Sequence, residues 1–232
     1  MNLSLLVVMP AVVLFLGNCA TTVRSHSGND TEAAVAEISR YCKDDPVVGF
    51  GTISASSAGE KVTGSIDVLY SGRDSFNVVL YSPFGASVGS LVSREDSIVV
   101  DLGQQHQIVA LTDTFTSGLL PWGGALHCNE VVRAVTGQIF YCDSLTKLTP
   151  EKIITTGFRT IYIWKVGGGT FKAAFSRWHG RLRYVEITTV HGNSGVYTMR
   201  FESFSSLRAR FITIEADDRN YFSIEFERLR QN

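Results

Sequence analysis

Apolar and polar residues alternate along most of this chain. Short turn sequences interrupt the alternation at intervals of about 8–12 residues, which is typical of short antiparallel strands. In the sequence FSIEFE at residues 222–227, Phe222, Ile224 and Phe226 fall on one face of an extended chain and three polar residues fall on the other. One face of the sheet is therefore expected to be apolar and the other hydrated, as antiparallel sheets allow.

The alternation predicts a mainly β fold of about eleven antiparallel strands, in two runs. The first run covers residues 48–57, 62–71, 75–81, 86–92, 97–102 and 107–111. The second run covers residues 153–166, 170–177, 182–190, 196–204, 208–216 and 221–229, of which the first stretch is one strand or a pair.

About three short helices are predicted beside the strands. Asp30 can cap a helix from Thr31 to about Cys42, and one or two short helices occupy residues 126–136, where Gly137 ends them. So many strands curl, and these helices fill little of the curl, so the pattern predicts an apolar cavity. We expect the lining of the cavity, or of the core, to include Phe201, Ile214, Phe222, Ile224 and Phe226.

A tight turn, Ser82-Pro83-Phe84-Gly85, separates two apolar strands. Ser at its first position, Pro at its second and Gly at its fourth are typical of a type I β-turn. Phe84 is unusual, because an aromatic side chain at a hairpin tip is exposed to water unless it folds back. Two interpretations stay open: Phe84 packs on the core, or Pro83, Phe84 and Gly85 form a turn that engages a membrane or an apolar cargo.

Composition narrows the class of protein. The chain has 232 residues, of which 44% are hydrophobic, enough to form one domain with a sizeable core. Its net charge is -1. No basic excess is present to neutralise phosphates, so nucleic acid is not an expected partner.

The N-terminal residues 1–18 have the apolar run of a secretory signal peptide. The run ends in LGNC at residues 16–19, which resembles the bacterial lipobox, whose cysteine is lipidated after cleavage. The resemblance implies a lipid anchor on Cys19, a polar tether over residues 19–29 and a folded domain over residues 30–232. An ordinary signal peptide followed by an unmodified cysteine is the alternative.

Element order and one short motif point to a family. The cysteine, tether and first helix are followed by a Gly-x-Ile strand at Gly51-Thr52-Ile53, then by Phe-x-x-x-Leu-x-Ser-Pro-Phe-Gly at residues 76–85 and by a helix at residues 126–137. This arrangement resembles the outer-membrane lipoprotein receptor LolB and its LolA-like relatives. The resemblance implies a half-closed antiparallel β-barrel with helices as a lid over an apolar cavity. In LolB a leucine of the corresponding turn projects from the barrel mouth, and Phe84 stands at its position.

Two functions from different classes follow. The first is a lipid-anchored protein on the periplasmic face of the bacterial outer membrane, which binds acyl chains and helps insert or transfer lipoproteins or lipids, received from a soluble periplasmic carrier. Ala20, rather than Asp, after Cys19 implies the outer membrane. The second is a structural or docking lipoprotein whose similar barrel is filled by its own side chains. Neither function needs a cofactor.

We expect no catalytic or metal centre. Gly85-Ala86-Ser87-Val88-Gly89 matches the nucleophile elbow, but that motif needs a helix after the serine, and the residues after Ser87 have a strand pattern. The five histidines are scattered, and His127-Cys128 has no partners at metal-ligand spacing.

Three cysteines remain besides Cys19, at Cys42, Cys128 and Cys142. An oxidising compartment allows one disulfide among them. Cys128 and Cys142 are nearest in sequence, but a straight helix would hold them about 20 Å apart, so they can pair only if the chain doubles back after Gly137. Burial as free thiols is the other interpretation.

The anchor on Cys19 can be tested directly. Cys19→Ser removes the acyl acceptor, so it is expected to abolish metabolic labelling of the protein with palmitate and to leave an uncleaved precursor. Fluorography and electrophoresis of labelled cells measure both effects. Labelling that survives the substitution would show that Cys19 is not the anchor.

Overall fold

The computed structural model describes residues 22–24, 28–72, 75–103, 105–110, 114–115, 126–139, 141–166, 169–190, 196–205, 207–217 and 219–231. Within these residues the chain forms sixteen strands and three helices. No helix among them is long and apolar enough to cross a bilayer.

The elements follow one another as two runs of strands separated by short helices. The first run is β1 (Thr22–Arg24), β2 (Val47–Ser57), β3 (Glu60–Tyr70), β4 (Phe76–Tyr81), β5 (Ser87–Arg94), β6 (Ser97–Leu102), β7 (Gln105–Ala110), β8 (Thr114–Phe115) and β9 (Leu126–His127). The second run is β10 (Lys152–Thr155), β11 (Arg159–Val166), β12 (Gly169–Ser176), β13 (Leu182–Val190), β14 (Val196–Ser205), β15 (Arg208–Asp217) and β16 (Asn220–Gln231). The helices are α1 (Gly28–Tyr41), α2 (Cys128–Val135) and α3 (Cys142–Leu145).

Fourteen strands form one antiparallel sheet in the order β1-β10-β11-β12-β13-β14-β15-β16-β2-β3-β4-β5-β6-β7, and β8 pairs with β9 separately. The sheet is open, since β1 and β7 are its two edges within the described part of the chain. The predicted mainly antiparallel β fold with few helices is confirmed. The sheet has more strands than the predicted number of about eleven: all twelve predicted stretches form strands, residues 153–166 divide into β10 and β11, and β1 adds an edge.

β1 lies inside the segment that the sequence predicts to be a polar tether. Thr22–Arg24 pairs with residues 153–155 of β10, and helix α1 already begins at Gly28. Thr22 and Val23 are β-branched and suit a short edge strand, but three residues are too few for a visible alternation. The tether is therefore not free over all of residues 19–29.

Burial along the strands follows the predicted alternation. In β2, alternate residues from Val47 to Gly51 are buried and those between them are exposed. A Cβ on Gly51 would lie 2.3 Å from the carbonyl oxygen of Glu225, so only glycine allows β2 and β16 to approach this closely. The register of β16 shifts just beyond, between Phe226 and Arg228, and such bulges increase the local twist of a strand.

Helix α1 packs an apolar face against the sheet. Ala34 and Ile38 have no exposed surface. In the last turn, the hydroxyl oxygen of Tyr41 accepts a hydrogen bond from the backbone N–H of Leu182 at 2.9 Å. The Tyr41 ring meets Phe175 edge to face, with ring centres 6.1 Å apart. The C-terminal end of α1 is thereby fixed to the start of β13.

The turns between antiparallel strands lie alternately at two ends of the sheet, which we call rims. The Phe84 rim carries the turns at residues 58–59 and 82–86. The Trp178 rim carries the turns at residues 95–96, 156–158 and 177–181. The two rims are separated by the length of the strands, of which β2 has 11 residues.

A buried arginine ties the helical segments to the Trp178 rim. Arg208, the first residue of β15, is almost fully buried, and its Nη2 donates to the carbonyl oxygen of Asp45. Its guanidinium carbon lies 5.7 Å from the centre of the Tyr70 ring. The Tyr70 hydroxyl and Nε2 of Gln138 both donate to Oδ1 of Asp44, the latter at 2.8 Å. We call Asp44, Asp45, Tyr70, Gln138 and Arg208 the polar clasp.

The polar clasp shifts the pKa values of its members. Burial lowers the pKa of Arg208 to about 10, which leaves the guanidinium charged at neutral pH. Burial, aided by the hydrogen bond to Asp44 and its charge, raises the pKa of Tyr70 to about 12. Burial also raises the pKa of Asp44, but hydrogen bonds from Tyr70 and Gln138 and the charges of Arg133 and Arg208 outweigh it. The pKa of Asp44 is therefore lowered from its ordinary value of 3.8.

Cys42 and Cys142 form a disulfide. Cys42 follows α1 and Cys142 begins α3, so the bond joins two helical segments that are 100 residues apart, with their Cα atoms 5.4 Å apart. Of the alternatives that the sequence leaves open, the pairing of Cys128 with Cys142 is excluded, and so is burial of Cys42 and Cys142 as free thiols. In the chain-entropy model, a loop of this length contributes about 4.7 kcal/mol by restricting the unfolded chain.

Removal of the disulfide should destabilise the protein. Cys42→Ala combined with Cys142→Ala frees the loop in the unfolded chain, so we expect the free energy of unfolding to fall by about 2–5 kcal/mol. Urea titration followed by circular dichroism measures the change, and reduced wild type is the matched control. Equal midpoints for the double variant and the oxidised wild type would contradict the pairing.

Asp44→Asn tests the charge in the polar clasp, since it keeps an acceptor for Tyr70. Because the folded-state pKa of Asp44 is lowered, the carboxylate stabilises the fold above 3.8 and that contribution is lost as the pH falls further. At neutral pH we expect the variant to be less stable by on the order of 1 kcal/mol, as for a partly screened pair. The deficit should vanish in acid.

Urea unfolding of both proteins at neutral and acidic pH provides the measurement. Asp96→Asn, in the exposed turn between β5 and β6, is the matched control and should change stability little at either pH. A deficit of Asp44→Asn that is the same at both pH values would show that its charge plays no part.

Candidate functional site

The hairpin between β4 and β5 has the turn that its sequence predicts. Gly85 N–H donates to the carbonyl oxygen of Ser82 at 2.9 Å, and Ser82 N–H donates to that of Ala86 at 2.8 Å. Gly85 has φ of 81°, a left-handed conformation that glycine adopts without strain. A type I turn followed by a left-handed glycine is a standard three-residue hairpin loop, and it holds Pro83 and Phe84 at the apex.

Phe84 projects from this apex into solvent. Its side chain is 97% exposed, the largest value among the exposed large apolar residues that the structure describes. The interpretation in which Phe84 folds back on the core is therefore wrong. A phenyl ring held clear of the fold contributes nothing to packing, so the position is available for contact with another molecule.

The five residues predicted to line a cavity or the core lie along the inner face of β14, β15 and β16. Phe201, Ile224 and Phe226 have no exposed surface, Ile214 is 2% exposed, and Phe222 is partly buried against the same core. A side chain without exposed surface borders no space that admits water. The buried members of this set are therefore packed core residues in the structure, not walls of an open cavity.

A groove of about 590 Å³ lies instead on the outer face of the sheet, between β16 and β4. Most of its lining is apolar. Arg228 and Arg230 of β16 lie at one side and Asn77 of β4 lies at the other, and Asp67 lies in the floor between Phe50 and Val79. The residues that line it include Val48, Phe50, Leu69, Val79, Tyr81, Asp67, Arg228 and Arg230. The side chain of Asp67 accepts a hydrogen bond from Tyr81, and the pKa of Tyr81 is raised by burial, by this hydrogen bond and by the aspartate charge.

One end of the groove lies beside the Phe84 turn, and an apolar row interrupted by Asn77 crosses its other end. Tyr81, at one end of the groove, is the last residue of β4 and precedes the turn directly. Val48 pairs with Leu69, and farther along the same face Val92 pairs with Val99. Alternation alone does not predict this surface, although apolar residues at the outward positions of β2 and β3 are a sequence signal for it.

The structure brings no catalytic or metal-binding constellation together at these surfaces. Ser87 begins β5 and is followed by strand, so the structural setting of a nucleophile elbow is absent there. Within the described segments, no three His, Cys, Asp or Glu side chains are grouped as metal ligands. Cys19 lies outside the described residues, as do the side chains of His127 and Cys128.

Several solved structures have a fold similar to that of this chain. The chain is similar to the crystal structure of a LolA superfamily protein from Nitrosomonas europaea, with 14% sequence identity, a TM-score of 0.52, and coverage of 90% of this chain and 94% of that one. It is similar to an outer membrane lipoprotein-sorting protein domain from Vibrio parahaemolyticus, with 12% identity, a TM-score of 0.52, and coverage of 87% and 92%.

A third neighbour has the same extent of overlap. It is a DUF1329 family protein from Desulfovibrio piger, with 11% identity, a TM-score of 0.53, and coverage of 88% of this chain and 92% of that one. No protein-family model and no curated protein matches the sequence. The open antiparallel β-sheet with few helices that the LolB-like resemblance implied is confirmed by the structure and these neighbours: the chain has a LolA-like fold.

Proposed function

We propose that this protein is a lipid-anchored lipoprotein of the bacterial outer membrane that faces the periplasm and handles the acyl chains of lipids or lipoproteins. The observation that carries the proposal is Phe84, an aromatic side chain 97% exposed at the apex of a hydrogen-bonded hairpin turn. The fold shared with an outer membrane lipoprotein-sorting protein domain supports it. Lipidation of Cys19, delivery by a soluble periplasmic carrier and binding without chemistry or a cofactor belong to the same proposal.

The groove on the outer face of the sheet is the proposed binding site of the acyl chain. Tyr81 and Val79 of β4 line the groove on the strand that leads from the Phe84 turn, so a chain that first contacts Phe84 can follow β4 past Tyr81 onto the apolar side chains of the groove. Arg228 and Arg230 stand beside Phe50 and Val48 on the neighbouring strand pair, where they can hold an anionic headgroup. In this proposal Phe84 makes the first contact with the acyl chain, and the groove is its binding site.

A second function is favoured by the packed interior. Phe201, Ile224 and Phe226 leave no space beside them, as expected of a docking lipoprotein whose barrel is filled by its own side chains. Mass spectrometry of gently purified protein separates the two functions. Copurified acyl lipid supports carrier activity, and a chain free of lipid supports docking.

Phe84→Glu should separate transfer from stability. The residue is exposed, so the free energy of unfolding is expected to stay within about 1 kcal/mol of wild type. Lipid binding should persist, whereas transfer of bound lipid or lipoprotein to liposomes should fail, because a charged tip does not enter an apolar environment. Transfer of fluorescent cargo to acceptor liposomes and urea unfolding measure the two properties.

Phe84→Leu is the matched control, since it keeps an apolar tip, and it should retain transfer. Unfolding of Phe84→Glu would show that Phe84 is needed for the fold. Undiminished transfer by Phe84→Glu would show that the tip plays no part in function.

A further inference from the structure

A long basic segment lies in a chain whose net charge is only -1. Residues 152–185 contain seven of the 21 lysines and arginines and none of the 22 acidic residues. They cover β10, β11, β12 and the start of β13. Positive charge is therefore concentrated in one part of the sheet, away from the Phe84 hairpin.

Two exposed aromatic residues lie within this segment at the Trp178 rim. Phe158, in the turn between β10 and β11, is 72% exposed, and Trp178, in the turn between β12 and β13, is 76% exposed. The turns are adjacent, because Arg177 N–H donates to the carbonyl oxygen of Phe158 at 3.1 Å. Two exposed aromatic residues thus lie on adjacent turns at one end of the sheet.

Three arginines lie in or next to the turn that carries Trp178. Arg177, Arg181 and Arg183 are exposed. Arg181 and Arg183 also line a groove of about 640 Å³ next to the turn, which they share with Tyr184 and Glu202. We call Phe158, Trp178, Arg177, Arg181 and Arg183 the basic aromatic patch. Two acidic residues lie near the patch. Glu202 lines the same groove, and Oε1 of Glu37 in α1 lies 4.0 Å from the position that a Cβ on Gly180 would occupy, in the turn that carries Trp178.

The start of the described chain lies at the same rim. Thr22 pairs with Thr155, which directly precedes the turn that carries Phe158. Three peptide units separate Thr22 from Cys19 and span at most about 11 Å when extended. Whatever holds Cys19 at a membrane therefore also holds the Trp178 rim near it.

We propose that the basic aromatic patch docks the domain on a membrane surface that carries anionic phospholipid headgroups. Aromatic side chains such as Trp and Phe are suited to the boundary between lipid headgroups and acyl chains. A guanidinium group can donate two parallel hydrogen bonds to two oxygens of one phosphate. The groove beside Arg181 and Arg183 provides room for a headgroup. This docking does not require carrier activity or a role for Phe84, and it assigns the Trp178 rim, rather than the Phe84 rim, to the anchoring membrane.

Hydrogen exchange of the full chain on vesicles tests the orientation. The protein purified from membranes is reconstituted into vesicles of phosphatidylcholine alone, or of phosphatidylcholine and phosphatidylglycerol in equal parts. We expect the amides of residues 156–158 and 177–181 to exchange severalfold more slowly on the anionic vesicles, because docking excludes water from these turns. Amides of residues 82–86 should exchange equally on both.

Two variants make the test specific. Arg181→Glu reverses a charge in the patch and should abolish the slowing, as should high salt. Lys61→Glu makes the same kind of charge change in the exposed hairpin at the Phe84 rim and should leave the slowing intact.

Three outcomes would overturn the proposal. The first is equal exchange of the two turns on both kinds of vesicle. The second is slowing at residues 82–86 instead, which would place the Phe84 rim on the membrane. The third is slowing that grows with protein concentration in detergent without vesicles, which would assign the patch to a second copy of this chain. Loss of cargo transfer by Phe84→Glu with no change in these patterns would separate this proposal from the proposed function.

Discussion

Burial of the Arg208 guanidinium is the constraint on which the assembly of helices and sheet depends. Removing a guanidinium from water costs several kcal/mol unless charges and hydrogen bonds compensate it. The compensation comes from Asp44 and Asp45 in the loop after α1 and from the Tyr70 ring of β3, which are far from Arg208 in sequence. Nε and Nη1 of Arg208 have no hydrogen-bond partner among the described residues, so the nearby carboxylates and the Tyr70 ring matter all the more. The contacts of Arg208 and the disulfide between Cys42 and Cys142 thus join the helical segments to each other and to the sheet.

The two halves of the sheet use their outer faces differently. On β12 to β15 the outward positions form a ladder of charges, in which Glu186 contacts Lys172 at 2.6 Å and Arg200 at 3.5 Å, and Arg200 contacts Glu215 at 3.0 Å. Such a face is suited to water. On β2 to β7 apolar residues occupy many outward positions, and the groove lies there. One continuous sheet thus combines a hydrated wall with a surface that can accept an apolar molecule.

Strand alternation and turn chemistry were sufficient to predict the fold class and most element positions. The strands of the second run match closely, since the inner positions of β14 to β16 carry large apolar residues. β1 was missed because three residues cannot display a period, and the disulfide was not predicted because partners 100 residues apart leave no local trace. At the candidate site, Ser82-Pro83-Phe84-Gly85 predicted the hairpin turn but not whether Phe84 points outward. That choice depends on tertiary packing, as do the groove and the polar clasp.

The length of the strands sets the distance between the Phe84 rim and the Trp178 rim. β2 has 11 residues, which at about 3.3 Å per residue and a barrel-like tilt gives roughly 25 Å between the rims. If the chain is anchored near Thr22, the Phe84 tip stands that far above its own bilayer, on the side where the carrier of the proposed function would approach. Cargo that binds at this tip then has two routes to the bilayer. It can move along the outer surface of the domain from the Phe84 rim to the Trp178 rim, or the domain can rotate about its connection to the anchor. Lengthening that connection should ease the second route and leave the first unchanged.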